Sequence, residues 1–283
     1  MSSVLGPGAL RNVTLGLSVS ESPDLSRLGL TETHFQMALA ELARCVLAGG
    51  GRLAYGGHFR SDGYTASLVN ELERYTRRDR PLFVCLSWAE HRKLTLTAIK
   101  AASKELGLIG KMVYLDQHGQ EVDFRENRAE AVPPPVDATV ERESLTALRK
   151  YMTRNTQGRI ILGGKRLGFQ GDLPGVLEES ILAMEARQPI YVAGGFGGMT
   201  WEIARALNLC EPDALPALPS APAPDPRTVT GLERLVAAAA ATKAQSLANG
   251  LSEDENRQLA ASYRPSEIAA LVSLGLGRRF ASL

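Results

Sequence analysis

The chain has 283 residues, 44% of them hydrophobic, enough to bury a full core in one large domain. Its 32 basic and 31 acidic residues leave a formal charge of +1, so no global field draws it to nucleic acid or to an anionic membrane. No apolar run reaches the roughly 18 residues of a membrane-spanning helix, Met1 to Gly8 lack a signal-peptide pattern, and Cys45, Cys85 and Cys210 form neither a CxxC pair nor a zinc spacing, so a cytoplasmic protein with reduced thiols and no metal or other cofactor is expected.

Apolar runs and helical patterns alternate along the chain. Val13 to Val19 reads as a strand, and Thr31 opens a helix whose Phe35, Ala38, Leu39, Leu42 and Val46 recur at helical spacing before Gly49. Arg52 to Tyr55 is a second strand, Thr65 opens a helix with Leu68, Val69 and Leu72, and Leu82 to Leu86 is a third strand. A helix with Leu94, Ala98, Ile99, Ala102 and Leu106 leads to a fourth, Met112 to Leu115. A polar excursion, Gln117 to Pro135, separates two halves. The rhythm resumes with a helix over Val140, Ser144, Leu145, Leu148 and Met152, a strand at Arg159 to Leu162, a helix behind Pro174 with Leu177, Ile181 and Met184, and a sixth strand at Ile190 to Ala193. Parallel strands joined by helical crossovers predict an α/β fold: a doubly wound, Rossmann-like parallel sheet of about six strands over 11–210.

Beyond Leu209 the composition turns to Pro and Ala, which reads as a linker over 211–228. A helical C-terminal appendage follows over 229–283, with a capping box at Ser252-Glu253-Asp254-Glu255.

Three strands end in paired glycines: Gly56-Gly57, Gly163-Gly164, and Gly194-Gly195-Phe196-Gly197-Gly198. Glycine at the carboxyl edge of a parallel sheet brings bare amides to the rim where open α/β folds bind ligands, and a following helix N-terminus favours an anion. A phosphate-bearing ligand is therefore expected, with Thr200 standing where a dinucleotide fingerprint would place its third glycine. His58, behind the first pair, is a further candidate donor. No lysine of a Walker A loop and no G-x-S-x-G elbow is present.

Arg149-Lys150-Tyr151-Met152, then Ile160 to Gly164, then Gly175-Val176-Leu177-Glu178-Glu179 resemble the SLOG superfamily, which includes the LOG phosphoribohydrolases, DprA-type proteins and the TRPM channel sensor domains. The first strand, with Ser18, Ser20 and Glu21, and the second, with Gly56-Gly57, are also similar. LOG enzymes carry an arginine-lysine helix and a PGGxGTxxE motif. The resemblance implies catalytic roles for Arg149 and Glu179, with Glu178 beside them, in cleaving the N-glycosidic bond of a nucleotide. It implies ligand or phosphate contacts at Ser20, Glu21, Gly56, Gly57, His58, Gly163, Gly164, Lys165, Gly175, Gly194, Gly195, Gly197, Gly198 and Thr200.

The sequence departs from that motif. Leu162 stands where proline is expected, Lys165 to Pro174 are inserted between the paired glycines and Gly175, and Val176 replaces the threonine. These departures turn the resemblance toward ligand-sensing prokaryotic branches, some linked to antiviral defence and to NAD-derived nucleotides. Two readings follow: a module that senses a nucleotide or NAD-derived small molecule, preferred because of the altered motif, or a hydrolase of the N-glycosidic bond. A homodimer with neither nucleic acid nor membrane as partner is expected in either case.

Overall fold

Leu15, Leu17 and Val19 of the first strand point to one side and Gly16, Ser18 and Ser20 to the other, the period of two that a strand imposes. The computed structural model describes residues 5–57, 63–74, 79–123, 130–210, 224–241 and 247–280. In chain order these form β1 (Thr14–Ser20), α1 (Glu32–Ala48), β2 (Arg52–Gly56), α2 (Tyr64–Leu72), β3 (Leu82–Leu86), α3 (Trp88–Arg92), α4 (Leu96–Leu106), β4 (Gly110–Tyr114), α5 (Ala138–Arg154), β5 (Gly158–Gly163), α6 (Gly175–Glu185), β6 (Ile190–Ala193), α7 (Gly198–Ala206), α8 (Pro226–Ala241), α9 (Glu253–Ala261) and α10 (Pro265–Phe280).

All strand pairings are parallel and the order across the sheet is β4-β3-β2-β1-β5-β6. This is a doubly wound, Rossmann-like α/β fold with C-terminal helices. The chain first walks outward from β1 to the β4 edge and then returns to place β5 on the other side of β1. That return crosses about 19 Å at the usual strand spacing. The helix α5 lies on this return, where the alternation of elements pauses.

One face of the sheet packs against α1, α2, α4 and α10 through a core that includes Leu17, Phe35, Leu42, Val84, Ile160 and Val272. The opposite face carries two separate apolar clusters. Ala54, Cys85 and Val113 meet Leu148 and Met152 of α5, while Ile161 and Val192 meet α6, α7 and α8. Between them lies the small, polar side of β1.

Local signals explain the helix starts. The Asp137 carboxylate accepts from the amides of Thr139 and Val140 at 2.7 and 3.1 Å, and Ser252 and Glu255 form the expected reciprocal cap. The second helix begins one residue before Thr65, which is buried in its first turn while Gly63 holds the cap. A short helix, α3, that the apolar pattern did not announce starts where the Ser87 hydroxyl accepts from the Glu90 amide.

The C-terminal helices share the core of the sheet. Leu235 of α8 joins Leu177, Ile181 and Ile203, and Ile268, Val272 and Leu276 of α10 pack in the cluster of Phe35 and Leu39. Asn249 donates to the Ile190 carbonyl at 2.8 Å, and the Tyr191 hydroxyl donates to the Asn249 carbonyl at 2.9 Å, so a side chain and a loop tie down the edge strand β6. Of the stretch read as a linker, residues 211–223 lie outside the described residues, and Pro226 already begins α8.

Candidate functional site

Strand order reverses between β1 and β5, and the crevice beyond their carboxyl ends is where open α/β sheets hold ligands. Three segments close on it: the end of β1 with Ser20 and Glu21, the turn after β5 with Gly163, Gly164 and Lys165, and the start of α6 with Gly175. The Gly164 amide donates to the Ser20 carbonyl at 3.0 Å and the Lys165 amide to the Ser20 hydroxyl at 3.3 Å. The Lys165 ammonium reaches Glu21 at 3.1 Å, an exposed pair at the rim. Gly163 is held at φ +66, where an added Cβ would come within 2.5 Å of the Ser20 carbonyl, so this close approach of β5 to β1 requires glycine.

Beneath that rim, between the two apolar clusters, lies a buried ionic group. Arg159, the second residue of β5, is fully buried and lies across Gly16 of β1, where a Cβ would sit 3.2 Å from its guanidinium. It donates to the Glu179 carboxylate at 2.6 Å, to the Ser18 hydroxyl at 2.9 Å and to the Thr153 hydroxyl at 3.3 Å. Ser18 in turn donates to Glu179. Among the described residues the Arg159 Nε has no hydrogen-bond partner. Burial weakens this guanidinium's hold on its proton, and the Glu179 carboxylate opposes that effect.

The second pair is Arg149 with Glu178. Arg149 of α5 donates to the Glu178 carboxylate, whose other oxygen accepts from the Thr146 hydroxyl at 2.6 Å. The guanidinium lies at the start of α6: an added Cβ at Gly175 would be 3.0 Å from it, and one at Gly171 2.6 Å. A helix N-terminus carries about half a positive charge, so it and Arg149 together favour an anion, which Glu178 supplies.

The structure brings Arg149, Glu178 and Glu179 to one seam, but it pairs them differently from the motif. The glutamate at the end of the motif, Glu179, binds Arg159, while Glu178 binds Arg149. The apolar pattern alone marks Arg159 only as a strand residue. A charged residue inside an apolar strand, opposite the Gly16, Ser18 and Ser20 side of β1, was the signal that pointed to it.

The other two glycine turns are filled by the protein itself. Gly56 packs on the Met152 sulfur and Gly57 on the Tyr55 ring, and burial raises the Tyr55 phenol well above its ordinary range, with Glu179 adding to the effect. His58 lies outside the described residues. Gly194 and Gly195 rest against the carbonyls of Ala260 and Ser262, and Thr200 is fully buried. At the N-terminus of α7, the Gly198 amide donates to the Asp24 carboxylate at 2.6 Å, so the anion at this turn is an internal side chain.

Among the described residues no cluster of His, Cys, Asp or Glu has a metal-holding arrangement, and no helix is long and apolar enough to cross a membrane. Cys45 and Cys85 are free thiols, pushed up by burial to about 11 and about 12.

No curated protein matches the chain in sequence. A family model described as SLOG cluster2 matches residues 9–259, a span that covers all six strands, both arginine-glutamate pairs and the helices α8 and most of α9. The protein therefore belongs to the SLOG cluster2 family of the SLOG superfamily.

Proposed function

We propose that the protein binds a nucleotide or NAD-derived ligand in the crevice between β1, β5 and the start of α6, and that it senses this ligand rather than hydrolysing it. The observation that carries the reading is the pairing of both carboxylates. Glycosidic cleavage needs a carboxylate directed at the anomeric carbon or at water. Here Glu178 is neutralised by Arg149 and Thr146, and Glu179 by Arg159 and Ser18. A ligand phosphate suits the start of α6, where Arg149 offers a planar fork and first-turn amides have no intrahelical partner. Ser20, Glu21 and Lys165 then border the ligand at the rim. The homodimer and the role in defence signalling belong to this proposal as expectations of the superfamily resemblance.

The test is to incubate the full chain with AMP, NAD and cyclic ADP-ribose, recording melting temperature and released base together. A bound ligand at 100 times its dissociation constant adds about 2.7 kcal/mol, and stabilisation without base release is expected. Base release that Glu179→Gln abolishes, with ligand-induced stabilisation retained, would replace this reading by the hydrolase.

A further inference from the structure

The segment between Gly164 and Gly175, absent from the LOG motif, runs from the tip of β1 to Arg149 and so crosses the crevice. Its first half is tied to the rest of the fold chiefly through Arg166, which meets Asp24. The Asp24 side chain, fully shielded from solvent, lies in the loop between β1 and α1. Its Oδ1 accepts from Arg166 Nη1 and from Arg27 Nε, both at 2.9 Å, and its Oδ2 accepts from the Gly198 amide at 2.6 Å and from Arg166 Nη2. Arg166 also reaches Glu202 of α7 at 3.1 Å. The Ser22 hydroxyl donates to the Phe196 carbonyl at 2.6 Å, a second tie between the same loop and the turn before α7.

Just beyond Arg166 the segment is loosely held, over Leu167 and Gly168. Leu167 is 43% exposed, and Gly168 at φ +67 has nothing near its Cβ position. The next anchor is Phe169, under the Arg227 guanidinium at 4.3 Å.

We propose that Asp24 is a fixed internal anion that straps the 165–174 segment across the crevice, and that the release of Arg166 from it opens the crevice to ligand. Asp24 fits this role because one carboxylate satisfies three elements at once: the α7 N-terminus, its own loop through Arg27, and the segment through Arg166. The turn at Gly197 is shaped around it, since an added Cβ there would lie 2.5 Å from the Asp24 side chain. The strap is independent of any ligand, whereas its gating of access rests on the binding reading above.

Limited chymotrypsin digestion of the full chain, without nucleotide, tests the strap by cleavage after Leu167 or Phe169. Asp24→Asn and Arg166→Gln are expected to raise that cleavage roughly tenfold over the unaltered protein, with the remaining sites still protected. Wild-type cleavage rates in both variants would overturn the proposal. Should Asp24→Asn be cut throughout because it no longer folds, Arg166→Gln decides: faster cleavage confined to this segment supports the strap, and an unchanged rate refutes it. Titrating AMP, NAD and cyclic ADP-ribose into the unaltered protein and Asp24→Asn separates the two readings. Tighter binding by the variant supports gating, equal or weaker binding removes it, and binding of none of the three by either protein defeats the nucleotide reading while the cleavage result still judges the strap.

Discussion

Glu179 and Arg159 meet at 2.6 Å on the face of the sheet where β1 presents only glycine and serine, with the arginine wholly shielded from water. Two adjacent glutamates on α6 thus reach in different directions, Glu179 down to the strand and Glu178 across to α5. The seam between α5 and α6 is ionic, set between the two apolar clusters on that face of the sheet. It is charge-balanced, with two arginines and two carboxylates.

Breaking one partner of this seam strands the other. Arg159→Met is expected to cost about 3–5 kcal/mol in urea unfolding, because Glu179 would remain buried with only Ser18 beside it. The double variant Arg159→Met, Glu179→Leu is expected to recover most of that loss, since two apolar side chains replace the pair. A double variant as unstable as the sum of the two singles would show that the pair is not coupled.

Glu178 supplies the anion that Arg149 and the start of α6 favour. Glu178→Gln is expected to lower the melting temperature of the free protein and to enlarge the stabilisation produced by a saturating nucleoside monophosphate. A charge-assisted contact of about 1.5–3 kcal/mol would pass from the side chain to the ligand phosphate. Thermal melts with and without AMP read both effects; a smaller ligand-induced shift than in the unaltered protein would place the phosphate elsewhere.

The parallel sheet was legible because β strands buried on both faces read as apolar runs, and the crossovers between them have helical periodicity. The strand order was not, since a sequence does not say on which side of β1 the returning strand will lie. Glycine pairs marked the turns correctly as places of close approach, but not what approaches. At Gly163 it is the backbone of β1, at Gly195 the Ser262 carbonyl, and at Gly197 the Asp24 side chain. An aspartate in an irregular loop carries no periodic signal, so Asp24 could be found only once three distant segments were brought together. Arg159 was visible in principle, because an arginine inside an apolar strand needs a buried partner.

Gly195 is packed against the Ser262 backbone at the end of α9, with no space for a side chain. Gly195→Ala is expected to destabilise by about 1–3 kcal/mol, because the obstacle is a carbonyl on another element and not a flexible side-chain end. Gly6→Ala, where nothing lies within 4 Å, serves as the control and should be nearly neutral. Equal stabilities for the two variants would mean that α9 sits less tightly on the turn than the geometry indicates.

Acid should release the strap. Burial alone would raise the Asp24 carboxyl, but hydrogen bonds from Arg166, the Gly198 amide and Arg27 outweigh it and hold the group below its ordinary range. A carboxyl depressed in the folded state contributes stability that is fully present above its unfolded value, near 3.9, and is lost as the pH falls through the folded one. The charged groups facing it are Arg27 and Arg166, with Glu202 on the far side of Arg166. The contribution of Asp24 is read by difference from Asp24→Asn. Hydrogen-exchange protection of the peptide from Lys165 to Leu173 is expected to be constant from pH 7 to about 5 and to fall below about 4 in the unaltered protein. In Asp24→Asn it is expected to be low throughout and to vary little, because the amide accepts a hydrogen bond without carrying charge. The same acid-dependent loss in both proteins would show that the Asp24 charge is not what acid removes and leave Asp24 as a packing residue.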